Sequence, residues 1–255
     1  MYFPTFVEAI QYTRRTLLEY GQEVDPGRWQ GYHTEGKPDL ITKEVMNLVL
    51  DVPVGRPLRQ VAEEIEPNLP WANLEFEERV AREPRNPHHS LDHWPWWEGG
   101  SQKLASMVID GEQFSHTYSE RFWPGGYEGI RYHYGNLDDV VSLLIDEPAT
   151  RQATFPIFFP EDTGAVHRGR IPCTLHYHFM VRNNRLHMWY PIRSCDYVRH
   201  FRDDLYMAVR LMDWVMGECS ARDPQSRWDN LELGMLHFSA YSMHYHMGDA
   251  HHVRP

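Results

Sequence analysis

Hydrophobic and polar positions along the chain change period several times, and each change marks an element. Residues 5–20 put Phe6, Ile10, Leu17 and Leu18 on a common face, the spacing of an amphipathic helix. Residues 22–41 are polar and carry Gly and Pro, which reads as a loop, and 45–53 (VMNLVLDVP) reads as a strand. A Pro-rich turn opens the acidic stretch 63–84, within which 71–82 suits a short helix. Residues 84–101 hold three prolines and three tryptophans and read as an irregular, packed loop. Residues 136–146 form a helix with Asn136 as its cap, and Pro148 stops it.

The clearest segment is 171–194. CTLHYHFMV alternates, RNNR turns, and LHMWYPIR alternates again, the pattern of a β-hairpin with Asn183 and Asn184 able to take positive φ. A helix over 204–217 follows, with a broad apolar face from Leu205, Ala208, Val209, Leu211, Met212, Val215 and Met216. Residues 231–246 return to strand and loop. No repeat, low-complexity tract or linker interrupts the pattern, so a single α+β domain over 1–255 is expected.

Composition narrows the function. Hydrophobic residues make up 42 % of the 255 and charged residues 24 %, ordinary for a soluble globular protein. The nine Trp and fourteen Tyr fill cores and also line sites for flat ligands. A net charge of -11 argues against a nucleic-acid surface but leaves room for a small phosphorylated ligand held by a few arginines. The first twelve residues lack the basic and apolar regions of a leader, and no apolar run reaches membrane-spanning length. With only three cysteines, Cys173, Cys195 and Cys219, the expectation is a cytoplasmic protein with free thiols.

Candidate chemistry centres on Cys173. A lone cysteine is commonly a small buried hydrophobe, and a nucleophilic one needs nearby positive charge. A two-residue turn at 183–184 pairs Cys173 with a residue near 194, which brings it beside Arg193 and Ser194. Three histidine pairs, His176/His178, His244/His246 and His251/His252, could chelate a metal, but no third ligand spacing resembles a zinc signature, so no metal is expected. Asp203 and Asp204 precede the long helix, where one carboxylate, preferably Asp203, serves as its cap. Glu75 and Glu78 lie three apart on a helix and could face one pocket, or form a solvated acidic face.

The stretch 171–196, IPCTLHYHFMVRNNRLHMWYPIRSCD, resembles the thymidylate synthase superfamily, with its Pro-Cys strand, turn and Arg-Ser-x-Asp return strand. In the same order, Tyr118 in HTYSERFWP, Arg151 in DEPATRQ and His244-x-His246 resemble further family motifs, so the likeness spans roughly 110–250. The resemblance implies a large mixed sheet packed with helices, with one sheet face as a homodimer interface. It also implies that Cys173 adds to C6 of a pyrimidine nucleoside monophosphate, so that C5 can take a one-carbon unit from 5,10-methylenetetrahydrofolate. Arg193 and Ser194 would hold the 5′-phosphate, Arg193 would keep Cys173 ionised, and Arg151 would reach the phosphate in the partner subunit's site. Asp196 would support the nucleotide, Tyr118 the proton transfers, and His244 and His246 the sugar. The general-base glutamate falls on 71–82, with Glu75 favoured over Glu78.

Departures from the family pattern sharpen the substrate. Asp204 stands where the family reads uracil with an asparagine, and a carboxyl that accepts from an amine and donates to a ring nitrogen matches cytosine instead. This exchange resembles that of cytidylate hydroxymethylases. The chain end at Pro255, soon after His246, is read as the lack of a tail that would keep water off the intermediate, which favours a hydroxymethyl over a methyl product. Thr174, Ile192, Gln152 and His246 also depart from the family, thinning the phosphate site, and Arg28, Arg121 or Arg199 are candidate substitutes. The expected activity is 5-hydroxymethylation of dCMP or CMP. The alternatives are C5 methylation of dUMP or dCMP, a nucleotide-binding protein without catalysis, and a histidine-ligated metalloprotein.

Overall fold

The computed structural model describes residues 1–29, 32–96, 114–125, 134–163 and 171–253. Helix α1 (Phe6–Tyr20) starts where the Thr5 hydroxyl accepts from the Glu8 N–H, and it buries Phe6, Ala9, Ile10, Thr13 and Leu17. Three short strands follow, β1 (Gln22–Val24), β2 (Arg28–Trp29) and β3 (Tyr32–His33), where the sequence suggested only loop. Strands of two or three residues carry no readable period. β1 exists because β4 (Thr42–Pro53) offers it an antiparallel edge, Val24 opposite Thr42.

Two helices then follow, α2 (Leu58–Ile65), which periodicity did not reveal, and α3 (Trp71–Val80), close to the expected 71–82. The expected packed loop after α3 includes a 3-10 turn at His89–His93, and its last residues, 97–101, lie outside the described residues. Helix α4 (Tyr118–Phe122) and helix α5 (Leu137–Asp146) each begin with a capping box, the latter built on Asn136 as its composition predicts.

The hairpin forms with the expected turn: Asn183 and Asn184 take φ 52 and 57, between β6 (His176–Arg182) and β7 (Arg185–Asp196). β6 begins three residues after Cys173, so the cysteine precedes the strand rather than opening it. Helix α6 (Phe201–Arg222) is longer at both ends than 204–217, and 231–246 is a single strand, β8 (Glu232–His246). Strand β5 (Thr154–Pro156) and the final turn α7 (Ala250–Val253) complete the described elements.

The result is a mixed α/β architecture around a six-stranded sheet of order β1-β4-β8-β7-β6-β5. Among the described strands of this sheet only β7 and β8 run parallel, and α6 is the crossover that joins them. α1 packs on β4, and α6 packs on β7 and β8 while receiving α2 and α3 on its other side. The core takes alternate residues: Leu50 and Val52, Leu186, Met188, Tyr190 and Ile192, Leu236, Phe238 and Ala240. Near the end that carries the cavity this alternation shifts. Asn47 adopts φ 58, and beyond Tyr241 the buried positions of β8 become Met243 and Tyr245, which leaves His244 half-buried between them. Among the described residues no helix is long and apolar enough to cross a membrane.

Candidate active site

A cavity of about 800 Å³ opens at the C-terminal ends of β7 and β8. Five sources meet there: α3 and the loop after it, the start of α4, the segment before β6, the ends of β7 and β8, and the first turn of α6. A parallel pair joined by a helix brings its strand ends and the helix N-terminus to one place, so residues distant in sequence converge.

Cys173 is a free, half-buried thiol in the wall of this cavity. Its carbonyl accepts the Arg193 N–H at 2.8 Å, and Thr174 bridges Ile192. The Arg193 guanidinium donates to the Pro172 and Ile171 carbonyls, both at 3.0 Å. Arg193 therefore braces the backbone that presents the thiol, and its Nε and Nη2 are committed to carbonyls rather than open to a phosphate. Ser194 lines the cavity beside it.

The Tyr118 hydroxyl lies 3.2 Å from Thr174 Oγ1, which in turn lies 3.1 Å from the Tyr190 hydroxyl. Burial and the adjacent Cys173 push the Tyr118 phenol upward, so it holds its proton as a donor. The Arg79 guanidinium stacks 4.0 Å over the Tyr118 ring. Arg79 is buried and bonded to Glu75 at 3.0 Å. Local pattern did not single it out, although the i,i+4 spacing from Glu75 carried the signal.

Glu75 faces the cavity at the centre of a polar cluster. His88 Nδ1 lies 2.5 Å from Glu75 Oε2, and Ser90 Oγ donates to the same oxygen at 2.6 Å. Burial alone would raise this carboxyl, but His88 and Arg79 outweigh it and hold Glu75 well below the usual carboxylate range. Glu78 does not line the cavity. It accepts from the backbone N–H groups of His89 and Ser90, at 2.8 and 3.1 Å, and so fixes the loop that carries His88.

Asp204 sits on the first turn of α6, in the cavity lining, and accepts from the Cys195 thiol at 3.6 Å. Burial raises its carboxyl to about 7, against a lowering by Arg79. Asp203 was expected to cap α6. Instead its carboxylate accepts from the Asn68 N–H and side-chain amide, each at 2.7 Å, and the N-cap residue is His200 without a side-chain cap bond. The half-buried Asn68, which offers two donors, outcompetes the helix terminus for this carboxylate.

At the other end of the cavity Asp196 Oδ1 accepts from the Val198 and Arg199 N–H groups. His244 and His246 complete that corner, and burial lowers the pKa of His244. Arg28 and Arg199 line the same end, and Arg199 is bonded to Asp249 at 2.8 Å. Arg121 is not a substitute there: it is buried in an ion pair with Asp162 at 2.8 and 2.9 Å. Arg151 is exposed and outside the cavity lining. His176 and His178 also lie away from it on β6, where His178 meets Thr154 at 2.7 Å, and His251 and His252 are exposed on α7.

A half-buried thiol, a protonated phenol, a poised carboxyl and several cations around one enclosed space define a small-molecule site equipped for thiol chemistry. No family model matches the chain. Proteins named "Putative thymidylate synthase" do: that of Methanosarcina mazei is 27 % identical over 125 residues, covering 47 % of this chain and 54 % of its own length. Those of Methanosarcina acetivorans and Methanosarcina barkeri are 27 % and 26 % identical over 127 and 136 residues, 48 % and 51 % of this chain. These matches support membership of the thymidylate synthase superfamily. The chain spans about half the length of the curated relatives it matches, 54 % and 57 % in the shortest and longest of these three alignments.

Proposed function

We propose that the chain transfers a one-carbon unit to C5 of a pyrimidine nucleoside monophosphate, with cytosine as the base and a 5-hydroxymethyl group as the product. The observation that carries the choice of base is Asp204. A carboxyl raised to about 7 in the cavity is populated in both forms near neutral pH. Ionised, it accepts from the cytosine amine; protonated, it also donates to N3, whereas uracil presents the reversed pattern. A mispaired buried base edge costs about 1–3 kcal/mol per group, enough to set the preference.

Cys173 Sγ, as thiolate, forms the bond to C6, and the displaced electron pair makes C5 nucleophilic. Arg193 positions the thiol through the Ile171 and Pro172 carbonyls. Tyr118 and Thr174 supply a hydroxyl pair beside it for holding and passing a proton. Glu75, reached through the cavity and joined to His88, is the base that accepts the C5 proton. Glu78 acts only by fixing that loop. His244, His246 and Asp196 face the sugar, and Arg28, Arg199 and Ser194 the phosphate end. The exposed Arg151 would serve the partner subunit's phosphate in a homodimer paired through the sheet face that exposes Val49 and Tyr241.

The cavity has an apolar aromatic wall suited to a flat bicyclic cofactor. Trp71 and Trp94 lie 5.9 Å apart, and Trp94 stacks on His200 at 5.0 Å and 17°. These residues would hold 5,10-methylenetetrahydrofolate, which supplies an electrophilic one-carbon unit when bound. The hydroxymethyl product follows the likeness of Asp204 to cytidylate hydroxymethylases. C5 methylation of dUMP is the second reading, favoured by the names of the curated relatives.

The test is to incubate the chain with the folate and dCMP, CMP or dUMP, and to follow tritium release from C5 and product mass. Release from a cytidine nucleotide, a product heavier by CH2O, and loss of both in Cys173→Ala are expected. Release from dUMP alone sinks the cytosine assignment. No release from any nucleotide leaves binding without catalysis.

A further inference from the structure

His246 is 2 % exposed, and its buried Nε2 has no hydrogen-bond partner. Its other ring nitrogen, Nδ1, lies 3.3 Å from the Leu40 carbonyl. A carbonyl only accepts, so Nδ1 carries a proton, and a ring with no second proton presents Nε2 as a bare lone pair. The atom facing it, at 3.8 Å, is Asp196 Oδ2, a second acceptor. Two buried acceptors opposite one another repel unless something positive lies between them.

His244 is held in the same way. Its Nδ1 lies 3.3 Å from Ser242 Oγ, and Ser242 gives its own hydroxyl proton to Glu44. The serine oxygen then accepts from His244, which leaves Nε2 of that ring for a ligand. One ligand atom each from Asp196, His244 and His246 lies within 4.8 Å of the others.

We propose that this corner binds a divalent transition-metal ion through two imidazole nitrogens and one carboxylate oxygen, with its remaining coordination positions open to the cavity. Ligand bonds of about 2.0–2.2 Å require neighbouring donors to close to roughly 3–3.5 Å, a small contraction from what is seen. The outer contacts suit it: Leu40 O and the Ser242–Glu44 pair orient the two imidazoles, and the Val198 and Arg199 N–H groups fix Asp196 Oδ1 so that Oδ2 points inward. Arg199, 3.9 Å from the carboxylate, is itself paired with Asp249 at 2.8 Å. Imidazole with carboxylate selects Zn²⁺, Fe²⁺, Co²⁺ or Mn²⁺ over the oxygen-seeking Ca²⁺ and Mg²⁺. The open positions would take an oxygen of the bound molecule, so the ion would stand between the histidine pair and a sugar hydroxyl. The site goes beyond the nucleotide reading and stands without it.

The test uses the full chain with its other histidine pairs removed (His176→Ala, His178→Ala, His251→Ala, His252→Ala), stripped by chelator and titrated at pH 7.5 with Zn²⁺ by calorimetry and with Co²⁺ by visible absorption. One ion per chain is expected, with X-ray absorption of the Zn²⁺ form showing two imidazoles. Adding His246→Phe or Asp196→Asn should weaken binding on the order of 100-fold or more, at or beyond the loss typical of an outer contact. Absence of stoichiometric binding, or binding unchanged by either substitution, overturns the site and leaves a charged His246 paired with Asp196. Should His246→Phe fail to fold, the imidazole count in the parent chain still decides. No nucleotide is present, so failure here is separate from failure of the proposed reaction.

Discussion

The Cys195 thiol donates to the Asp204 carboxylate across 3.6 Å, linking a buried thiol to a carboxyl in the cavity lining. Burial pushes both groups upward, Asp204 to about 7 and Cys195 well above an ordinary thiol. Cys195 stays neutral, so Cys173 is the thiol left for addition. On the proposed reading the protonated carboxyl donates to the base, so kcat/KM with a cytidine nucleotide should fall as pH rises through about 7. Asp204→Asn should flatten that limb and move preference toward uracil by about 10–100-fold, the equivalent of roughly 1–3 kcal/mol. A pH profile unchanged by the substitution counts against Asp204 as the base reader.

Asp204 also ties stability to pH. The folded protein holds this proton more tightly than the unfolded chain does, because burial disfavours the charge. Stability from it is fully present below the unfolded value of 3.8 and is lost as pH rises through about 7. At about 1.4 kcal/mol per pH unit, Asp204→Asn should gain a few kcal/mol relative to the parent between pH 4 and 7. Asp203, raised to about 6 mainly by burial, acts in the same direction and remains in both chains. Urea melts at the two pH values measure the difference.

Arg79 and Glu75 form a buried pair at 3.0 Å in which Glu75 is the chief compensation of Arg79, while Glu75 is compensated first by His88 and then by Arg79. Arg79→Met leaves Glu75 buried with only His88 and the Ser90 hydroxyl and should destabilise by about 3–5 kcal/mol. Glu75→Gln combined with Arg79→Met should recover most of that loss. Denaturant midpoints of the four chains form the cycle, and strict additivity would show that the pair is not coupled.

Arg151 is exposed and far from Cys173 in sequence, yet the proposed dimer shares it between sites. Arg151→Ala and Cys173→Ala should each be nearly inactive alone. After mixing and subunit exchange, heterodimers carry one intact site, and activity should return to about a quarter of the parent value for random pairing. No recovery, with exchange verified by mass, rules out the shared arrangement.

What the sequence made legible followed local rules. Asn183 and Asn184 take positive φ readily, so the hairpin and the nearness of Cys173 to Arg193 could be read directly. Asn136 is a residue type that favours the cap position and was equally plain, whereas the full capping box with Asp139 came from the structure. Partners supplied from afar were not readable. Asp203 looked like a helix cap because nothing local announces Asn68, 135 residues away. Arg121 looked available until Asp162 enclosed it. Glu75 was found, but His88 reaches it from an irregular loop with no period, and the edge strands before β4 are too short to have one.

The chain from Arg185 to His246 forms one strand–helix–strand unit, β7, α6 and β8. Arg193, Ser194, Asp196, Asp204, His244 and His246 all belong to it, with Asp196 opposite His244 in the parallel register. On the proposed reading, selectivity and scaffold are therefore inherited on a single stretch of coding sequence. Exchange of that whole block with a relative would transplant the substrate preference intact, whereas a crossover inside α6 would join a base reader to sugar contacts that had not evolved with it.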